Sequence, residues 1–143
     1  MSRLKRSRFV ESEKESFAEE YEKKLILVVD DSYSTREIEK SILELENYDV
    51  VTACDGIDGL EKLADHHFDL IITDIKMPRM DGLAFVENIR QRDEYRQIPV
   101  IVVSSVEDAD VKEKFVSKGA DSYIYKSDFD RGNLVHEVKR LIQ

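Results

Sequence analysis

The sequence lacks paired cysteines, long apolar runs and a surplus of basic residues. Its single cysteine, Cys54, cannot form an internal disulfide, which favours a reducing compartment. No run approaches the roughly 20 apolar residues that span a bilayer. The charged N-terminus also lacks the apolar segment that is typical of a secretory signal. These absences predict a cytoplasmic protein without direct membrane contact.

The formal net charge of -9 argues against a general affinity for nucleic acid, because nucleic-acid binding needs a cationic surface. Of the 143 residues, 41% are hydrophobic, which is typical of a globular chain. This length suits one domain with its own core and a short appendage.

Residues 1–24 differ in composition from the rest and form the predicted appendage. Basic residues come first and acidic residues follow, while Val10, Phe17 and Tyr21 make a sparse apolar stripe at helical spacing. The pattern predicts a charged, helical arm. Three roles stay open for it: a linker from a longer protein, a dimerising or docking helix, or a nucleic-acid-binding arm.

Residues 25–143 alternate strand-like and helix-like segments, which predicts an α/β domain with a parallel sheet between two helix layers. The strand segments are rich in Leu, Ile and Val, as expected when both faces of the sheet are buried. The predicted strands are Leu25–Val29, Asp49–Ala53, Leu70–Thr73, Pro99–Val103 and Ser122–Tyr125. The predicted helices are Ser34–Glu46, Gly59–His66, Gly82–Arg92, Asp108–Lys118 and Asp130–Ile142.

Polar side chains follow the carboxyl ends of four of these strands: Asp30, Asp31, Asp74, Ser104 and Lys126. The carboxyl ends of parallel strands lie on one edge of a sheet, where ligands bind, so we expect these side chains to meet in one crevice. Each has an ordinary explanation on its own, as a helix-capping aspartate, a loop hydroxyl or a solvated lysine. Their conjunction predicts a site for a divalent cation and a phosphoryl group.

The expected chemistry follows from the residue types. Mg²⁺ prefers oxygen ligands and keeps several waters, so Asp31 and Asp74 are candidate direct ligands and Asp30 is a candidate for holding a coordinated water. Asp74 is also the candidate nucleophile toward phosphorus. Lys126 can supply a point charge to phosphoryl oxygens and Ser104 a hydrogen bond.

Four motifs of the chain resemble the receiver domain of two-component response regulators. They are Val28-Val29-Asp30-Asp31, Asp74 followed by Met77-Pro78-Arg79-Met80-Asp81-Gly82, Pro99-Val100-Ile101-Val102-Val103-Ser104, and Gly119-Ala120-Asp121 leading to Lys126. The resemblance covers residues 25–143. It implies a flavodoxin-like (βα)5 fold with strand order 2-1-3-4-5.

The resemblance also implies a function. Asp74 would accept a phosphoryl group from a histidine kinase's phosphohistidine in a Mg²⁺-dependent reaction, with the metal held by Asp30, Asp31, Asp74 and the backbone carbonyl of Lys76. Ser104 and Tyr123 match the family's switch pair, in which the hydroxyl moves toward the phosphoryl group and the aromatic ring turns inward. Such a domain is a signalling module more than an enzyme, and its output face would comprise the fourth helix, fifth strand and fifth helix.

The chain departs from the family pattern in three respects, one of which involves both Lys76 and Val106. Ser127 replaces the usual proline after Lys126, and a cis bond before a non-proline residue costs about 2.5–4 kcal/mol, so we expect a trans link there. Val106 cannot hydrogen-bond the water that hydrolyses an aspartyl phosphate, which predicts slow self-dephosphorylation; Lys76 occupies the other position that orients or blocks this water. Ser104 replaces the commoner threonine and keeps the hydroxyl.

The segment from Lys126 to Leu134 is similar to receivers at the C-terminus of chemotaxis-type hybrid histidine kinases, although a free-standing regulator stays open. The implied partners are a sensor histidine kinase or phosphotransfer domain and a downstream protein. Two other functions remain: a receiver-like docking module without phosphoryl turnover, and an aspartate-nucleophile phosphatase. The phosphatase pattern has Asp-x-Asp after the first strand, whereas this chain has adjacent Asp30 and Asp31.

Overall fold

The computed structural model describes residues 22–128 and 131–142. Five strands alternate with five α-helices along the chain. The strands are β1 (Leu25–Val29), β2 (Asp49–Ala53), β3 (Leu70–Thr73), β4 (Val100–Ser104) and β5 (Ser122–Tyr125). The helices are α1 (Tyr33–Leu45), α2 (Gly56–Asp65), α3 (Gly82–Gln91), α4 (Ala109–Ser117) and α5 (Arg131–Ile142), and a short 3-10 helix spans Lys126–Asp128.

All neighbouring strands are parallel and follow the order β2-β1-β3-β4-β5, which confirms the predicted flavodoxin-like topology. In the register, Val29 lies opposite both Ala53 and Thr73, so β1, β2 and β3 end at the same level. On the other side of β3, Thr73 pairs with Val102 and Ser104 pairs with Tyr125. The residues that follow β1 and β3 therefore come together at the carboxyl edge of the sheet.

Two apolar clusters cover the two faces of the sheet. Alternate residues of each strand point to opposite faces, so Leu27 and Ile71 lie in one cluster while Val28 and Ile72 lie in the other. Every residue of β3 is buried. The central strands are thus fixed on both faces, and the carboxyl edge is positioned by a rigid base.

Each helix differs from its predicted bounds by one residue or more at one end or both, and two boundary differences affect the reading of the fold. Helix α2 begins at Gly56 instead of Gly59, because the Asp55 carboxylate accepts a hydrogen bond from the Asp58 N–H and caps the helix three residues earlier. Strand β4 covers Val100–Ser104 rather than Pro99–Val103, so Ser104 is the last residue of the strand. Gly119 follows the end of α4 with a φ of 115°, in the left-handed region that favours glycine after a helix.

The turn after β3 is held against α2. Two nitrogens of the Arg79 guanidinium donate to the buried Asp55 carboxylate, with Nε–Oδ2 at 2.7 Å and Nη2–Oδ1 at 3.1 Å. The Gly56 N–H donates to the Met80 carbonyl at 3.1 Å. Gly82 is required at the end of this turn, because a Cβ there would collide with the carbonyl oxygen of Asp74. The chain leaving Asp74 is therefore tightly constrained.

The predicted N-terminal arm falls almost entirely on residues 1–21, which lie outside the described residues. Its helical character stays a prediction. None of the helices in the described ranges combines the length and the hydrophobicity needed to cross a membrane.

Candidate functional site

The first two aspartates lie directly after β1. The Asp30 side chain is 2% exposed, and its Oδ1 accepts a hydrogen bond from the Ser32 N–H at 2.8 Å. The Asp30 carbonyl accepts from an Arg36 guanidinium nitrogen at 2.7 Å. Asp31, by contrast, is exposed. The pair thus offers one fixed, buried carboxylate and one that reaches solvent.

Asp74 lies directly after β3, and its backbone N–H donates to the carbonyl of Val29 at 3.0 Å. Its Oδ1 accepts the N–H of Ile75 at 2.7 Å, while 12% of the side chain is exposed. Thr73 donates its hydroxyl to the Asp74 carbonyl at 2.9 Å. The Asp74 carboxylate is therefore oriented by the backbone and open to solvent on one side.

Lys126 reaches this edge from the end of β5. Its Nζ lies 3.2 Å from Asp74 Oδ2 and 3.4 Å from Asp30 Oδ2. Burial lowers the pKa of Lys126, but the charges of Asp30 and Asp74 outweigh burial, so the pKa is raised and the side chain is cationic at neutral pH. One ammonium thus serves two carboxylates.

Three carboxylates crowd around this point. Asp30, Asp31 and Asp74 each offer an oxygen, and these oxygens lie within 4.8 Å of one another. Burial is the main reason that the pKa of Asp30 is raised, and the charge of Asp74 adds to it, against the hydrogen bond from Ser32 and the charge of Lys126. A divalent cation relieves such repulsion, and an all-oxygen set suits Mg²⁺. The donor chemistry therefore fits the predicted metal.

Lys76, the fourth predicted metal-binding residue, lies in the turn after β3 with an exposed side chain. Its backbone carbonyl is the predicted metal ligand, and this stays a prediction.

Ser104 and Tyr123, the predicted switch pair, both contact Val106. The Ser104 Oγ accepts the Val106 N–H at 3.0 Å, and the Tyr123 hydroxyl donates to the Val106 carbonyl at 2.9 Å. Tyr123 is buried, and its ring packs edge-on against Phe115 and Tyr125, with centroids 6.0 and 5.5 Å away. The loop after β4 thus links the serine to the inward-facing ring.

The Lys126–Ser127 peptide is trans, as expected without a proline, since the described residues contain no cis peptide bond. Lys126, Ser127 and Asp128 form a turn of 3-10 helix. The chain after β5 therefore keeps Lys126 at the carboxyl edge in spite of the Ser127 replacement.

Glu39 is a residue near the site that the sequence reasoning missed. It lies on α1, is 2% exposed, and its pKa is raised to about 8, chiefly by burial. Glu39 comes four residues before the buried Leu43 and so occupies a core-facing position of α1. A charged residue in the core register of a helix was the signal that could have identified it.

Comparisons with known proteins agree with this geometry. The response regulator receiver domain family matches residues 26–139. Protein PilG of Pseudomonas aeruginosa is 36% identical over 114 residues, which are 80% of this chain and 84% of PilG. Other curated relatives are longer, and the chain spans 52% of response regulators that are 35% identical to it.

Solved receiver structures share the fold. The receiver domain of a signal transduction histidine kinase from Syntrophus aciditrophicus is 34% identical with a TM-score of 0.77, and the match covers 83% of this chain and 89% of that one. The receiver domain of the sensor histidine kinase PA1611 from P. aeruginosa, with magnesium in its active-site cleft, is 25% identical with a TM-score of 0.77, covering 84% and 98%. With its carboxylate cluster and parallel sheet, the chain belongs to the response regulator receiver domain family, a family of two-component signalling domains.

Proposed function

We propose that this receiver domain accepts a phosphoryl group on Asp74 from the phosphohistidine of a histidine kinase or phosphotransfer domain, and that the modification changes the conformation of the loop after β4. The observation that carries the proposal is the setting of Asp74. One carboxylate oxygen is fixed by the Ile75 N–H at 2.7 Å, and the other lies 3.2 Å from the Lys126 ammonium. A pre-oriented, partly exposed carboxylate beside a cation suits phosphoryl transfer.

Mg²⁺ fits the carboxylate cluster, with Asp31 and Asp74 as direct ligands, the Lys76 carbonyl as a further ligand, and Asp30 as a ligand or the holder of a metal-bound water. Bound there, the metal would neutralise charge on the carboxylates and on the transferring group. The chain's own contribution is to hold three carboxylates together on the ends of β1 and β3, which is costly without a cation.

In the proposed transfer, an Asp74 oxygen forms a bond to phosphorus while the phosphorus–nitrogen bond to the donor imidazole breaks and its electron pair returns to that nitrogen. Lys126 then leaves the Asp74 oxygen and binds a phosphoryl oxygen instead. Ser104 gives up its bond from Val106 and donates its hydroxyl to another phosphoryl oxygen. Each of these groups stabilises charge that develops during the transfer.

The switch follows from the same contacts. When Ser104 moves, Val106 loses the acceptor of its N–H, and the Tyr123 hydroxyl is bound to the carbonyl of the same residue. Rearrangement after β4 therefore changes the surface of α4, β5 and α5, which we propose as the docking face for a downstream protein. Tyr125 belongs to this surface, with the Lys112 ammonium 5.7 Å from the centre of its ring.

Self-dephosphorylation should be slow. Val106 presents an apolar side chain, which cannot orient the attacking water, and Lys76 stands at the other position near the phosphoryl group. A lifetime of only seconds for the aspartyl phosphate would contradict this proposal.

For the cellular setting, we propose a cytoplasmic receiver fused to, or working with, a chemotaxis-type hybrid histidine kinase. The similarity to receivers from two sensor histidine kinases supports this setting, and the similarity to PilG keeps a free-standing regulator as the alternative.

Intact-mass analysis after incubation with Mg²⁺ and acetyl phosphate tests the function. The wild type should gain one phosphoryl group and Asp74→Asn none. The control Asp121→Asn, which changes an aspartate just before β5 at the amino edge of the sheet, should gain one. Failure of the wild type with both acetyl phosphate and a phosphorylated histidine kinase would favour the docking module. Repeated turnover of a small phosphate ester would favour the phosphatase.

A further inference from the structure

Glu39 is a buried acidic residue of α1, the helix beside the site. It is 2% exposed. Burial of an ionised carboxylate is costly unless its charge is paired, so burial favours the protonated form. Such a group on the helix beside the site calls for a functional explanation.

Glu39 lines a cavity of about 230 Å³ between α1 and the end of β4. The other lining residues are Thr35, Ile38, Val103 and Lys126. Glu39 and Lys126 are the charged members of this wall, and the rest is largely apolar. The cavity gives the lysine side chain room to move, because its long stem can rotate while the ammonium stays within reach of a carboxylate.

Three charged groups act on Glu39 from the elements around it. Burial is the main reason that its pKa is raised to about 8, the charges of Asp30 and Asp74 add to it, and the charge of Lys126 opposes them. At neutral pH the carboxyl is therefore mostly protonated. Lys126 is then left to the two aspartates, 3.4 and 3.2 Å away.

We propose that Glu39 is a positioning residue that competes with the aspartate site for the ammonium group of Lys126. The inference rests on the proposed function, because Lys126 matters there as the cation that stabilises the transferring phosphoryl group. With Glu39 protonated, Lys126 remains at the site. With Glu39 ionised, the buried carboxylate draws Lys126 into the cavity and away from Asp74.

The consequence is a pH dependence that belongs to Glu39 alone. As the pH rises through about 8, Glu39 ionises and phosphorylation of Asp74 slows. Glu39→Gln keeps the size of the side chain but cannot ionise. Phosphorylation of Asp74 in this variant should therefore not slow as the pH rises through this range. A purely structural role for Glu39 would change the rate by the same factor at every pH.

The first experiment measures the initial rate of phosphorylation by acetyl phosphate with saturating Mg²⁺ between pH 7.0 and 9.5. The rate of the wild type divided by that of Glu39→Gln should fall about threefold or more across this range, since ionisation of a group with a pKa near 8 is nearly complete at its upper end. Glu44→Gln removes the same charge from an exposed position of α1 and should follow the wild type. A ratio that is constant with pH would overturn the proposal.

The second experiment needs no phosphoryl transfer. The Glu39 carboxyl carbon is followed by NMR during a pH titration without Mg²⁺, in the wild type and in Lys126→Met. Loss of the cation should raise the titration midpoint of Glu39 by roughly half a pH unit or more. Equal midpoints would overturn the proposal. If the wild type takes up no phosphoryl group at any pH, the proposed function fails, and this titration alone decides whether Glu39 and Lys126 are coupled.

Discussion

The two edges of the sheet both carry aspartates, but they surround them differently. At the amino edge, Asp69 accepts the Leu25 N–H at 2.8 Å, and Asp121 accepts the Val100 N–H at 2.8 Å and an Arg90 nitrogen at 3.0 Å. At the carboxyl edge, the three carboxylates after β1 and β3 crowd together, and Lys126 contacts two of them. The amino edge is satisfied by the chain itself, whereas the carboxyl edge is left short of positive charge.

Arg90 shows how complete the pairing at the amino edge is. Its guanidinium donates to the carbonyls of Gly119, Ile98 and Arg96 and to the Asp121 carboxylate. Such a network ties α3 to the starts of β4 and β5. The difference teaches that aspartates of this fold are stabilised where backbone N–H groups and arginine bind them. Where carboxylates crowd together instead, burial and mutual repulsion oppose their ionisation, as the raised pKa of Asp30 shows.

The largest stability effect should come from Glu39, the buried carboxyl beside the crowded edge. Its pKa rises from 4.5 to about 8 on folding, so the folded state binds this proton more tightly than the unfolded state, and stability falls as the pH rises from 4.5 through 8. Glu39→Gln removes this loss. Between pH 5.5 and 8.5 the variant should therefore gain roughly 3 kcal/mol relative to the wild type.

Urea unfolding at several pH values checks this prediction, with Glu44→Gln as the control that keeps the cavity intact. If the free energy of unfolding of Glu39→Gln and of the wild type changed equally with pH, Glu39 would not take up a proton on folding. The contrast between the two edges of the sheet would then rest on the aspartates alone.

Much of the fold was predictable because its signals are local. The predicted strands agree with the structure to within one residue, because runs of Leu, Ile and Val such as Leu25–Val29 end at a polar residue. The predicted start of α2 lies three residues after the observed one, because the first turn contains Gly56 and only Asp55 and Asp58 indicate the cap. Apolar periodicity does not reveal where a helix begins when its first residues are weak helix formers such as glycine.

The site was predictable to the extent that its residues follow strand ends. Asp30, Asp74 and Lys126 do so, and the structure places the Lys126 ammonium 3.4 Å from Asp30 and 3.2 Å from Asp74. Glu39 and the Arg79–Asp55 pair could not be predicted in this way, because their positions depend on contacts between segments that are distant in sequence. On α1 the sequence is misleading, since Ile38 is 56% exposed while the neighbouring Glu39 is buried.

The next effect concerns the cation of the carboxyl edge. Lys126→Met removes the ammonium that stabilises charge on the transferring phosphoryl group, so phosphorylation of Asp74 by acetyl phosphate should slow by roughly 10²-fold. Arg90→Met, at the amino edge, should leave the rate per folded molecule within about twofold of the wild type while lowering stability. A small rate effect of Lys126→Met would mean that the short cation–carboxylate distances serve stability alone.

Mg²⁺ should stabilise the wild type by satisfying the crowded carboxylates. At a tenfold excess over its dissociation constant, a ligand that binds only the folded state adds about 1.4 kcal/mol to the free energy of unfolding. The increase should disappear in Asp74→Asn and persist in Asp121→Asn. Thermal or urea unfolding with and without Mg²⁺ measures it, and an equal increase in all three proteins would place the metal elsewhere.

The smallest effect compares one aspartate from each edge in the absence of metal. Asp30→Asn removes a buried charge whose pKa is raised by burial and by Asp74, so the variant should be more stable than the wild type by about 1 kcal/mol in EDTA at pH 7. Asp121→Asn weakens its bonds to Val100 and Arg90 and should lose about 1 kcal/mol.

Changes of opposite sign in the free energy of unfolding would distinguish the two edges better than any single loss of function, because both substitutions replace Asp by Asn at a strand terminus. The same sign for both would contradict the view that the carboxyl edge is destabilised by its own charges. Addition of Mg²⁺ sharpens the test further, since it should stabilise the wild type and Asp121→Asn but not Asp30→Asn. The advantage of Asp30→Asn over the wild type should then shrink or reverse, as expected if these carboxylates are held together for a cation.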